Sequence, residues 1–248
     1  MQAQPLAPEA IARIDALKPQ KQAETLLEMA VGNSRDAVDQ IAARADGWQG
    51  KLTWNPRLAD LTTAARTASD LRVRQAGIAV ELAAYGLARN SATVERLARE
   101  AASEMHARKI WALWSLGLMA NRGVESERVV EVLRAHLSDA DEDSRRWAVE
   151  GLALIGASST IAPLLQAMHN DSSPLVRERA AFSLAASGML SREQQQTAIP
   201  QLLSYSDDPA LDAQTRGWVF RILGDITQQR LPNDSAAWRD WYATTQRD

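Results

Sequence analysis

The sequence predicts an all-α protein, an α-solenoid of stacked antiparallel helical hairpins, on three observations. Ala, Leu, Arg, Glu and Gln dominate the 248 residues, while Gly numbers 12, Tyr three and Phe two, a composition of strong helix formers. A short apolar pattern built around one Arg recurs five times along the chain. Each recurrence is followed by Gly or Asn and then by a second amphipathic run, so the repeating unit is a helical pair.

The pattern is clearest in "LVRERAAFSLAASG" and "SRRWAVEGLALIG". Val176-Arg177 is followed by Ala180-Ala181 and Leu184-Ala185, and Ser144-Arg145 by Ala148-Val149 and Leu152-Ala153. Thr215-Arg216, Ala107-Arg108 and Val73-Arg74 open three further copies, of which the last two fit less closely. The Arg positions 74, 108, 145, 177 and 216 lie 34, 37, 32 and 39 residues apart, the spacing of helical-pair repeats rather than of a catalytic motif. Apolar pairs every three to four residues form one stripe on a helix, so each copy is the first helix, A, of a hairpin. Gly86 to Asn90, Asn121 to Gly123, Gly156 and Gly188 end these helices, as residues that tolerate the left-handed C-cap conformation.

The second helices, B, are "SATVERLAREAA", "SERVVEVLRAHL", "SSTIAPLLQAMH" and "SREQQQTAIPQLL", each opening on a Ser suited to an N-cap. Ser191 with Gln194 matches a capping box. Asp139, Asp171 and Asp208 fall in the polar turns between units, and Pro174 suits the first turn of the next A helix. Upstream, Pro8, Pro19 and Pro56 mark starts of four helices over residues 8–69. The expected organisation is one continuous domain: a flexible leader over 1–7, an irregular N-terminal helical cap over 8–69, repeats over 70–230, and a C-terminal capping helix with its tail over 231–248.

Arg74, Arg108, Arg145, Arg177 and Arg216 can be read as a ladder of anion-binding groups or as structural ties. The structural reading pairs Asp139 with Arg145 and Asp171 with Arg177, six residues apart, and is preferred because repeats satisfy their own turns first. These segments resemble HEAT repeats, in particular the short bacterial type also found in phycobilisome lyases. The resemblance covers about residues 70–230, is most specific over 141–190, and implies a right-handed superhelix of about seven antiparallel hairpins whose B helices line the concave face. Tetratricopeptide repeats have a similar period, but their Trp, Leu-Gly, Tyr and Pro pattern is missing.

Eight Trp stand out. Trp48 and Trp54 in "DGWQGKLTWNP" are expected to plug the seam between the first hairpins rather than to form an exposed contact site. Trp111, Trp114, Trp147 and Trp218 are expected to fill gaps between the A and B layers rather than to build an aromatic cage. Trp238, Trp241 and Tyr242 share one face of a last helix, suited to covering the end of the stack.

His106, His136 and His169 lie in separate units with no second ligand at helical spacing, and there is no HExxH, GxSxG or Gly-rich phosphate loop. No catalytic residue, metal or cofactor is therefore assigned. With no Cys and a formal net charge of -3, disulfides, thiolate metal sites and a global field for nucleic acid are all unexpected. No run reaches the length of a membrane span, so no membrane insertion is expected. The start "MQAQPLAPEA" has no basic or apolar signal region, so no intact signal peptide is expected; its polar, Pro-containing character leans toward an exported protein after signal removal, with a cytoplasmic one as the alternative.

The function expected is a non-enzymatic scaffold that binds a protein or peptide on the B-helix face, through Arg96, Arg99, Glu127, Glu131, Arg134, Gln166 and His169, with Gln194 and Gln201 further along. Residues 70–139 carry ten basic and nine acidic side chains, so the strip has no single sign. The alternative implied by the resemblance is a phycobilin-lyase-like or alkylpurine DNA glycosylase-like enzyme. The glycosylase would call for a basic groove, which the alternating charges do not supply.

Overall fold

Where the chain turns from one helix to the next is decided by its caps, and the computed structural model, which describes residues 6–245, shows how. Pro occupies the first turn of α1 (Pro8–Asp15), α2 (Pro19–Val31) and α4 (Pro56–Thr67), where its missing N–H costs nothing and its φ is preset. Ser34 caps α3 (Arg35–Arg44), Asn55 caps α4, and Asp70 caps α5 (Leu71–Ala84). There is no strand among the described residues, and no helix is long and apolar enough to cross a membrane.

Contacts divide the chain into two compact units, Met1–Arg99 and Glu100–Asp248; the division falls inside α6 (Ser91–Ala101). In the first unit α2 packs on α3 and α4, and α4 on α5. Their apolar stripes bury Leu26, Leu27, Ile41, Leu58 and Ile78 almost completely, each worth roughly 1.5–3 kcal/mol. Glu24 is buried beside them, accepting from Gln20 (2.8 Å), Lys21 (2.7 Å) and Asn55 (3.0 Å). Burial alone would raise its pKa, but these donors outweigh it and hold the carboxyl at about 2.

The Trp-bearing loop splits in two. Trp48 is buried and donates from Nε1 to Gln22 at 3.0 Å, as a plug would. Trp54 is 39% exposed and stacks on Tyr85 with centroids 5.4 Å apart, so the expectation of two plugs holds for one. Of the expected leader, residues 1–5 lie outside the described residues; the Leu6 N–H donates to Asp36 at 2.6 Å.

The second unit continues with α7 (His106–Asn121), α8 (Ser126–His136), α9 (Glu142–Ile155), α10 (Ile161–Asn170), α11 (Pro174–Ala185), α12 (Arg192–Gln196), α13 (Ile199–Tyr205), α14 (Ala213–Thr227) and α15 (Ser235–Thr245). The A helices α7, α9, α11 and α14 lie side by side, α7 and α9 most intimately. A Cβ on Gly117 would run into the Gly151 carbonyl, and one on Gly151 would lie 2.7 Å from the Leu113 oxygen. Backbones approach here because neither residue has a side chain to hold them apart. Gly156 then ends α9 with φ 65°, a conformation that suits glycine.

Several starts differ from the Ser caps expected. Asn90 accepts from the Thr93 N–H at the start of α6, Glu125 precedes α8 in the left-handed region, and α10 follows a 3-10 turn over Ser158–Thr160. Ser191 forms the expected capping box with Gln194. The single B helix expected over 191–203 is broken into α12 and α13, because Pro200 cannot donate to a continuous ladder and instead occupies the first turn of α13. At the far end α15 buries Trp238, whose Nε1 donates to Pro232 O at 2.9 Å, and Arg239 ties it to Asp207 at 2.7 Å.

Candidate interaction surface

Three surfaces of the second unit carry its chemistry: the inter-repeat turns, the B-helix face and the outer face of the A helices. At the turns, Arg145 reaches Asp171 with two nearly parallel bonds, Nε at 2.8 Å and Nη2 at 3.1 Å, while Nη1 donates to the Asp139 carbonyl at 3.0 Å. Arg177 repeats this: Nη1 to the Asp171 carbonyl at 2.8 Å, Nη2 to the Asp212 carboxylate at 2.9 Å and Nε to Thr215 at 2.9 Å.

The expected carboxylate pairs Asp139–Arg145 and Asp171–Arg177 are therefore corrected. Each Arg binds the main chain of its own preceding turn and the carboxylate of the next one. The nearer carboxylate is already engaged: Asp139 accepts the Asp141 N–H and Lys109 Nζ (both 3.0 Å), and Asp171 accepts the Ser173 N–H (2.8 Å). Lys109, not the template Arg108, is the cation of the first copy in the second unit; Arg108 is exposed, 3.8 Å from Glu100.

The electrostatics follow from these bonds. The Asp171 carboxylate raises the Arg145 pKa. Burial pushes the Asp139 carboxyl up, but donation from Asp141, Lys109 and His136 brings it below its ordinary value. Hydrogen bonding from His169 lowers Asp208, and the Thr215 N–H and hydroxyl lower Asp212. Each of the three histidines faces an aspartate: His106 lies 3.1 Å from Asp143, His136 3.4 Å from Asp139 and His169 2.8 Å from Asp208.

Of the seven residues expected on the partner-facing strip, the structure brings three together. Glu131 and Arg134 of α8 and Gln166 of α10 line one open cleft of about 450 Å3 with Asn170 and Asp171. Glu131 has Arg128 at 3.6 Å; among the described residues, no bond ties the Arg134 or Gln166 side chain. His169 departs from the strip: it is taken up by Asp208 and by the Tyr205 ring, 4.3 Å away. Glu127 is exposed on the first turn of α8, and Arg96 and Arg99 are exposed on α6 within the first unit. Further along, Gln194 serves the capping box and also donates to Gly156 O at 3.4 Å, while Gln201 is exposed on α13.

The A-helix face was missed as a surface. Trp111, Trp147, Arg179 and Trp218 occupy one register, two residues after Lys109, Arg145, Arg177 and Arg216, and all are half-buried. Three residues on stand Trp114, Glu150, Phe182 and Arg221. Trp114 is buried, as a gap-filling aromatic would be, and meets the Trp147 edge at 4.5 Å. Trp147 instead lies under the Arg146 guanidinium at 4.7 Å, Arg179 pairs with buried Glu150 at 3.0 Å, and Phe182 is 36% exposed. The signal was the register itself: position +2 precedes the core pair at +3 and +4, which places it on the shoulder of the helix.

Among the described residues no group of three or more His, Cys, Asp or Glu is placed to hold a metal ion. The repeated A helices, the buried seams between them and the linked turns define a helical repeat protein. A family model described as HEAT repeats matches residues 92–185, from α6 through α11, and that stretch is similar to HEAT repeats. No curated protein matches the chain. Among solved structures it is similar to an engineered protein at 17% identity, with a TM-score of 0.40 over 88% of this chain and 95% of that one. A computationally designed armadillo repeat protein for modular peptide recognition is 15% identical, with a TM-score of 0.39 over 84% and 99%.

Proposed function

We propose that the protein is a non-enzymatic scaffold that binds a protein or peptide across α8 and α10. The cleft there carries the reading: Glu131, Arg134, Gln166 and Asn170 converge from two repeats on one open groove. Carboxamides both donate and accept, so Gln166 suits the alternating N–H and C=O groups of an extended backbone, and Asn170, whose Oδ1 meets His169 Nδ1, adds its amide N–H donors. Glu131 and Arg134 add charges of both signs that fix register and orientation more than affinity. A groove already formed in the free protein also lowers the ordering cost of binding.

The shifted acids support a scaffold over a general acid or base. Asp139, Asp208 and Asp212 are depressed by hydrogen bonds from their own turns and from neighbouring helices, which stabilises folded links and moves these three carboxyls away from neutrality. The test is affinity capture from a lysate of the source cells, using wild type and the double variant Glu131→Arg, Arg134→Glu. A polypeptide recovered by wild type and at least about tenfold depleted with the variant is the expected result. Equal recovery by both proteins, or recovery of none, overturns the assignment to this cleft.

A further inference from the structure

On the outer face of the A helices the protein supplies its own cations to Trp147 and to Phe182 but, among the described residues, not to Trp218. Arg146 covers Trp147 at 4.7 Å, and Arg179, held by Glu150 at 3.0 Å, approaches Phe182 at 5.7 Å. In α14 the residue in the register of Arg146 is Gly217, where a Cβ would meet nothing within 4 Å. Among the described residues, no ring or cation contact is made to Trp218.

Trp218 and Phe182 wall a cavity of about 230 Å3 between α11 and α14, lined also by Glu178, Asp225 and Arg221. Glu178, Asp225 and Arg221 are exposed, and none has an ion pair among the described residues. Two carboxylates against one guanidinium leave the rim acidic beside aromatic faces that attract cations.

We propose that this groove receives an arginine side chain of a partner polypeptide, which stacks on Trp218 and pairs with Glu178 and Asp225, reproducing in trans what Arg146 does in cis at Trp147. The inference rests on the reading of the protein as a scaffold but concerns a different surface. A planar guanidinium stacks on an aromatic ring and bonds carboxylates at its edge at the same time. Arg221 sits on the same rim and works against the incoming cation.

The test is an NMR titration of the full chain, following its Trp indole N–H signals, with the Trp218 signal assigned from Trp218→Phe. The probes are N-acetyl-argininamide and its neutral isostere N-acetyl-citrullinamide. The arginine probe is expected to shift the Trp218 signal saturably and the citrulline probe to leave it in place. The dissociation constant should rise about fivefold in Glu178→Gln, Asp225→Asn, and fall in Arg221→Ala. Gly217→Arg, which supplies the cation in cis, should abolish the response while leaving the fold intact by circular dichroism. An unmoved Trp218 signal, equal shifts with both probes, or an unchanged constant in the carboxamide variant overturns the proposal. Because the α8/α10 double variant reads a separate surface, partner loss there with no arginine response here overturns this inference alone.

Discussion

Gly151→Ala should destabilise the protein although helix propensity says the reverse. In an exposed helix interior, Ala is favoured over Gly by about 1 kcal/mol. At position 151, however, the new Cβ would lie 2.7 Å from the Leu113 carbonyl oxygen and 3.0 Å from Leu133 Cδ2. Leu133 can rotate, but a carbonyl in mid-helix cannot, so α7 and α9 must separate by roughly half an ångström or more to reach ordinary contact. Overpacking of this kind costs about 1–3 kcal/mol, and a contact limited by backbone belongs in the upper half of that range. The net is a loss of ~1–2 kcal/mol, or a fall in Tm of about 2–8 °C for a chain of this size. Gly217→Ala is the internal control: its Cβ meets nothing within 4 Å, so propensity acts alone and stability should rise by ~0.5–1 kcal/mol. Urea denaturation of the two variants beside wild type decides the matter. Changes of the same sign at both positions would refute the argument that the α7–α9 seam is closed by backbone contact.

Arg145→Ala removes a cation that is 12% exposed and leaves the Asp171 carboxylate, 4% exposed, without its partner; a loss of roughly 3 kcal/mol is expected in equilibrium unfolding, and Arg145→Lys should restore little because Lys lacks the two-pronged geometry. Glu24 has a folded pKa of about 2 against an ordinary 4.5, so its contribution is complete above pH 4.5 and disappears as pH falls toward 2. The gap in urea midpoint between wild type and Glu24→Gln should therefore narrow over that window, and a gap independent of pH would contradict the assignment. Trp48→Ala should cost ~3–5 kcal/mol as a large buried truncation, whereas Trp54→Ala, at the exposed Tyr85 stack, should cost less than about 1.5 kcal/mol; thermal melts of both distinguish them.

The helical pairs were legible because their signals are local. Pro8, Pro19, Pro56 and Pro174 each open a helix in the structure, since a fixed φ acts without help from the rest of the fold. Ser was a poorer guide, because Asn90 and the left-handed Glu125 precede two of the B helices that were expected to open on Ser caps. The Arg links were half legible: the spacing of six residues identifies the turn whose carbonyl is bound, but the carboxylate partners lie 26 and 35 residues ahead. Nothing in a single repeat shows which side of a turn its neighbour will occupy. The candidate surface was hardest to read. Glu131, Arg134 and Gln166 converge, but His169 turns to an acid 39 residues away, and buried Trp114 differs from Trp147 only in lying three positions further along the repeat register.

The linkage between turns has a direction. Lys109 reaches forward to Asp139, Arg145 to Asp171 and Arg177 to Asp212, so each unit offers a cation to its successor and an acid to its predecessor. Units with such matching ends are interchangeable in their joints. Gain or loss of a whole unit would therefore leave each of these turn junctions still joining opposite charges. Insertions of part of a unit have no such protection.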